Sequence, residues 1–203
     1  MRVYRIPFST NVERVALALG HKELPVEWVD VDPDDRAPIR ELSGQPLVPV
    51  LVDDSGVHID STAILAYLDE RYPERPLYPS DEPHRSEVTI FVDWFNRVWK
   101  RPPNEIDAEL DSSAPDQKRI AALREEMARS LDLFEGLLAG RDYLFENFSV
   151  ADCSAFPFLK YAVQLDPSDD ERFHRILNES LVLGDGYPRL RAWIGRVDAH
   201  PRA

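Results

Sequence analysis

Three short stretches of this chain carry side chains whose type and position could hold a small anionic thiol. The first is Ser9, which stands immediately before Thr10 where a strand-like alternation gives way to helical periodicity. A hydroxyl there lies beside unpaired backbone amides and the positive end of a helix, a setting that favours an anion. Donated to a sulfur, it would favour the thiolate of a group whose free pKa is about 8.5. Asn11 offers a second donor in the same turn. The second stretch is Val48-Pro49 at the start of a strand. A cis bond there would turn the Val48 amide and carbonyl outward to pair with an extended peptide. The third is Asp60-Ser61, again at a helix start, where amides and a hydroxyl together suit a carboxylate. Each has a plain structural alternative: a turn residue, an edge-strand proline, an ordinary helix cap. The sequence does not decide among them one at a time.

The elements that would position these groups follow from periodicity. Val3 to Ile6 alternates as a strand and is ended by Pro7 and Phe8. Thr10 and Glu13 have capping-box spacing and open a helix with Val12, Val15, Ala16 and Leu19 inward, closed by Gly20. Trp28 to Val31 reads as a second strand. Residues 48–52 and 57–59 read as a hairpin around Asp53-Asp54-Ser55-Gly56, and Asp60 and Ser61 then cap a helix with Ile64, Leu65 and Leu68 inward. The expected order is strand, helix, strand, strand, strand, helix over residues 1–75, followed by a proline-rich linker at 76–83.

From residue 84 onward the pattern is helical. Val88, Phe91, Val92, Phe95 and Val98 make one apolar face, which Pro102-Pro103 should break. Ile120, Leu123, Met127, Leu131, Phe134 and Leu138 make another. Ser149 and Asp152 have capping-box spacing, with Phe148 and Cys153 placed as a hydrophobic staple, and Pro188 opens a last helix. The fold class expected is an α/β domain followed by an all-helical domain over 84–203.

Composition narrows the partners. A net charge of −13 over 203 residues, with no Lys/Arg run, argues against nucleic acid and anionic membrane surfaces. One cysteine excludes an internal disulfide framework and a four-cysteine zinc site, and the five histidines lack metal-ligand spacing, so no metal is expected. No run of apolar residues is long enough to span a bilayer. The expectation is a cytoplasmic protein.

Taken in order, PFSTNVERVALAL, SGQPLVPVLV, DSTAILAYLDERYP, NFSVADCSAFPFLKY and YPRLRAWIGRV resemble the signature segments of glutathione transferases. The resemblance covers nearly the whole chain, with residues 84–140 matching in helical pattern alone. It implies a thioredoxin-like domain with Pro49 cis, a helical-bundle domain, a homodimer, and glutathione across the first domain. Ser9 matches the serine that stabilises the glutathione thiolate, Val48 the backbone partner of the cysteinyl part, and Asp60 with Ser61 the pair holding the γ-glutamyl end. Because serine stands where thiol-transferring classes carry cysteine, a mixed disulfide with the protein is not implied. Asn11 matches a position used by bacterial relatives that reduce disulfides through glutathione. The Lys or Gln that many relatives place two residues before the cis-proline is Leu47 here, and Gln45, Arg36 or Arg40 are candidates to replace it. Trp94, Trp99 and Arg101 match the region facing the electrophile pocket, although helical aromatics also suit a core.

The activity implied is activation of the glutathione thiol for attack on a small electrophilic or hydrophobic co-substrate. Disulfide reduction or isomerisation are alternatives on the same site. A different class remains open, a non-enzymatic adaptor of the same fold, for which the acidic surface and Leu47 both speak.

Overall fold

Four strands form one sheet in the order β2-β1-β3-β4, in a computed structural model that describes all of residues 1–203. The first unit, Met1–Pro79, runs β1 (Arg2–Arg5), α1 (Thr10–His21), β2 (Glu27–Asp30), α2 (Ala37–Ser43), β3 (Val50–Asp53), β4 (Gly56–Ile59) and α3 (Ser61–Arg71). β1 and β2 are parallel, and β3 is antiparallel to β1 and to β4. Val3, Val50 and Leu51 from the sheet, Val15, Leu17 and Leu19 from α1, and Ile64, Leu65 and Leu68 from α3 are fully buried. This is the thioredoxin-like arrangement; of the α1 positions read as inward, Val12, Val15 and Leu19 are buried and Ala16 is half-buried, while Leu17, outside that reading, joins the core.

Two features depart from the reading above. α2 was not foreseen. Its sequence, APIRELS, buries Ile39 alone, so it has no apolar stripe for periodicity to detect; Pro38 in its first turn and Gly44 at φ +78 after its last were the signals present. Thr10 is also not the cap of α1. Ser9 is, with its Oγ accepting from the Val12 amide, and Thr10 is the first helical residue.

Lys22, just past α1, ties that helix to α3. Its Nζ is fully buried and donates to Asp69 Oδ1 at 2.8 Å, Tyr72 O at 2.8 Å and Arg75 O at 3.2 Å. The same carboxylate accepts from the Leu77 amide at 2.7 Å, so one ion pair organises the chain leaving α3. Lys22→Met removes the cation and leaves the carboxylate and the carbonyls buried. A loss of about 3 kcal/mol or more in urea denaturation is expected.

Residues His200–Ala203 cluster with this first unit rather than with the helical part assigned to 84–203 from sequence. They lie along α1. Ala203 N donates to Ala16 O, Trp28 Nε1 donates to Ala203 O, and the Arg202 guanidinium reaches Glu13 Oε1 at 3.0 Å. Gly20 is needed for that approach, since a Cβ there would stand 2.2 Å from the Pro201 carbonyl oxygen.

The second unit, Ser80–Ala199, is entirely helical: α4 (Glu82–Trp94), a π turn (Phe95–Trp99), α5 (Arg101–Leu110), α6 (Gln117–Leu137), α7 (Val150–Leu159), a 3-10 turn (Lys160–Ala162), α8 (Arg172–Ser180) and α9 (Pro188–Asp198). Pro102 and Pro103 do not break a helix; they occupy the first turn of α5, where a missing amide costs nothing. The π turn holds one more residue than an α turn, so the helical count fails beyond Phe95. Val98, expected inward, is 45% exposed, and Trp99 is buried in its place.

The capping box at Ser149 and Asp152 is present and opens α7, with Phe148 and Cys153 both buried. Asp152 is also the hub of this unit's core. Its carboxylate accepts from Leu144 N at 3.1 Å, Ser149 N at 2.9 Å, Ser149 Oγ at 3.1 Å and Trp193 Nε1 at 2.8 Å, which joins α9 to the start of α7. Burial pushes its pKa up to about 6 against the opposing effect of these donors. Asp169, just before α8, accepts from His174 Nδ1 at 2.8 Å and from the Tyr161 hydroxyl at 3.1 Å. No helix is long and apolar enough to cross a membrane.

Candidate functional site

Sheet register brings the three candidate stretches to one end of the first unit. Tyr4 on β1 is opposite Val50, and Val50 is opposite Ile59 on β4. Ser9 therefore follows the end of β1, Val48-Pro49 precedes the start of β3, and Asp60-Ser61 follows the end of β4, all at the same end of the strands.

At the first position the chain turns sharply through Phe8, at φ +62, and enters α1 at Ser9. The Val12 amide donates to Ser9 Oγ at 3.4 Å. That contact uses a lone pair of the oxygen and leaves the hydroxyl proton for another acceptor. Asn11 sits half-buried in the first turn of the same helix.

At the second position the Val48-Pro49 bond is cis. Pro49 is buried and Val48 half-buried, and strand pairing begins at Val50, so the Val48 amide and carbonyl lie outside the ladder. At the third, Asp60 adopts φ +66 and its Oδ1 caps α3 by accepting from Ala63 N at 3.0 Å. Ser61 is buried beside it. Its Oγ accepts from Arg14 Nη1 at 3.4 Å, so here too the oxygen is loaded by an internal N–H and the hydroxyl proton is left to be donated.

Arg14 was not singled out from sequence, yet it is one of the largest fully buried side chains, 1% exposed on α1. The available signal was its spacing: it stands four residues after Thr10 and three before Leu17, on a stripe that is otherwise uncharged. A guanidinium in that stripe requires a buried partner.

Gln45 does not project as a ligand contact. Its Oε1 accepts from the Leu47 amide and its Nε2 donates to Leu47 O at 3.0 Å, so the amide is folded onto its own loop. Arg36 is likewise engaged, with Nε on Pro33 O at 2.9 Å and Nη1 on Pro46 O at 3.3 Å. Leu47 itself is 66% exposed.

The residues read as pocket candidates all lie in the second unit, and they divide. Trp99 is a core residue, stacked on Phe95 at 4.5 Å, edge-on to Phe134 and Phe158, with Nε1 donating to Ser130 Oγ at 2.8 Å. Its register shift in the π turn puts it there, which corrects the pocket reading. Arg101 is exposed and ion-paired to Glu126 at 3.1 Å and Glu105 at 3.7 Å, a surface network and not an open anion site. Trp94 is half-buried against Phe91 and Phe134 and is the one of the three that keeps an accessible aromatic face.

Chemically, the first unit offers two polarised hydroxyls at two helix N-termini, with strand-pairing groups between them. This arrangement suits an extended ligand with an anion near each hydroxyl.

Comparison with known proteins finds relatives for both units. The family model "Glutathione S-transferase, N-terminal domain" matches residues 3–76, and "Glutathione S-transferase, C-terminal domain" matches residues 117–196. The chain is 37% identical over 205 residues to Glutathione S-transferase Z2 of Arabidopsis thaliana, covering 93% of this chain and 91% of that one. It is 29% identical over 147 residues to the Stringent starvation protein A homolog of Haemophilus ducreyi, covering 72% and 67%. Among solved structures, the glutathione S-transferase from Rhodospirillum rubrum F11 superposes with a TM-score of 0.76 at 26% identity, over 98% of this chain and 88% of that one.

Proposed function

The chain belongs to the glutathione S-transferase family, and from that premise we propose that it is a glutathione-dependent enzyme whose Ser9 hydroxyl stabilises the bound thiolate. The observation that carries this reading is the donor polarity of Ser9 and Ser61. Both oxygens already accept an internal N–H, so each offers its proton outward, one for a thiolate and one for a carboxylate. The γ-glutamyl end then sits at the α3 N-terminus with Asp60 and Ser61, and the cysteinyl backbone pairs with Val48 beside cis-Pro49. Asn11 supports the thiol from the α1 turn. Lowering the thiol pKa makes the sulfur a nucleophile at neutral pH, and binding a small electrophilic or hydrophobic co-substrate beside it supplies the orientation. The sulfur forms the new bond as the leaving group departs with its electron pair. The assembly proposed is a homodimer, and the compartment proposed is the cytoplasm.

Calorimetric titration with reduced glutathione and, separately, with glutathione disulfide tests this. Micromolar to low-millimolar binding of the reduced form, with turnover of an electrophile, is the expected result. Tighter binding of the disulfide would instead favour the reductase reading, in which Asn11 helps hold the oxidised ligand. Isomerisation with glutathione as cofactor uses the same site and is separated by substrate profiling.

A second reading, from another class, is an adaptor that does not use glutathione. Exposed Leu47 and the likeness to a stringent starvation protein favour it. Titration without heat from folded protein would select it over the enzyme.

A further inference from the structure

Toward α3 the candidate site offers the Ser61 hydroxyl, backed by the buried Arg14 guanidinium, and helix-end amides; toward α2 it offers an uncharged loop. An extended thiol peptide anchored by a carboxylate at Asp60-Ser61 and paired with Val48 carries its other end over the loop that precedes Val48. That loop, residues 44–47, holds no charged side chain. Its outermost group is the isobutyl of Leu47, 66% exposed. The two polar side chains that could reach across it are already engaged, Gln45 on the Leu47 backbone and Arg36 on the carbonyls of Pro33 and Pro46. The segment leading into α2 adds Asp32, Asp34 and Asp35, all exposed, which disfavour a second carboxylate. Arg40, exposed on α2, is the sole Lys or Arg between residues 37 and 70.

We propose that this protein recognises a single carboxylate, at α3, and does not read the charge at the far end of its ligand. Its substrate class is then γ-glutamyl thiols irrespective of a terminal carboxylate, including the dipeptide γ-glutamylcysteine and C-terminally esterified or amidated tripeptides. This rests on the thiol-site reading above and adds what that site does not discriminate.

The test is calorimetric titration of the whole protein with glutathione, γ-glutamylcysteine and the glycine monoethyl ester of glutathione. Because an exposed arginine such as Arg40 contributes little to a carboxylate, dissociation constants within about three-fold of one another are expected. Loss of a charge-assisted contact would weaken the ester by about ten-fold or more, and that result would overturn the proposal. Binding by none of the three would remove the thiol site itself, and the proposal with it, which is a different failure. Two variants sharpen the outcome. Leu47→Lys, an exposed change, is expected to tighten glutathione by about ten-fold and leave the ester unaltered. Arg40→Ala is expected to change neither; a ten-fold loss confined to glutathione would assign the missing contact to Arg40 and sink the idea.

Discussion

Ser9→Ala is expected to reduce kcat/KM for glutathione-dependent turnover by about 100-fold, the size of effect seen when a single donor to a developing or bound anion is removed. The reduction should appear with loss of the ultraviolet thiolate absorbance of bound glutathione at neutral pH, while affinity changes less. Ser9 also caps α1, so the same variant should lose about 1 kcal/mol of stability. The two effects separate in Ser9→Asp. A carboxylate caps a helix as well as a hydroxyl does, yet it cannot donate to sulfur and repels it. Stability near wild type together with abolished thiolate formation is the expected result. Full thiolate absorbance in Ser9→Ala would show that another donor, with Asn11 the nearest, carries the role.

The largest effect on stability is expected at Asp152. Asp152→Ala leaves Leu144 N, Ser149 N and Trp193 Nε1 buried without their acceptor, each at a cost of about 1–3 kcal/mol, and removes one half of the capping box. A total loss near 4 kcal/mol, read by urea denaturation, is about the limit a domain of this size tolerates. Asp152 also gives a pH signature. Burial raises its pKa to about 6 in the folded protein, above its value in the unfolded chain. The stability that comes from the neutral form is therefore fully present below pH ~4 and lost as pH rises through about 6. On protonation the carboxyl can donate to Ser149 Oγ, which reverses that one hydrogen bond and preserves the other three. The stability difference between wild type and Asp152→Asn should accordingly be larger at pH 5 than at pH 7, by about 1 kcal/mol. A constant difference across that range would mean that Asp152 stays ionised.

What could be read in advance was whatever rests on local rules. The capping box at Ser149, the proline opening the last helix, the hairpin turn and the apolar faces of α1, α3 and α6 follow from spacing and turn chemistry alone. The failures have specific causes. Val98 and Trp99 exchanged places because a single π turn shifts the helical count, and nothing in FNRVW marks where the extra residue enters. Helix α2 was missed because one buried isoleucine makes no pattern. Thr10 was chosen as the cap over Ser9 because the two residue types are equivalent at that position, and only the backbone distinguishes them. Within the candidate site, the helix starts at Ser9 and Asp60-Ser61 and the strand-opening Val48-Pro49 were legible because each is a local signal. Arg14 and the folded-back Gln45 were not, because a contact between Arg14 and Ser61 spans 47 positions of sequence, and a side-chain amide bonded to its own loop leaves no composition signal.

The strip at residues 200–203 has a consequence for synthesis. A ribosome makes the sheet, α1 and α3 first, but the segment that lies along α1 leaves the exit tunnel only after all of Ser80–Ala199 has been made. At ordinary elongation rates that is a delay of roughly ten seconds. During it the groove beside Ala16, Gly20 and Trp28 is open on a nascent chain, and the first unit can be native in topology without being finished. Its packing is completed only once residues 200–203 have been made, so an mRNA truncated within the helical region would yield an N-terminal fragment that lacks four of its own residues.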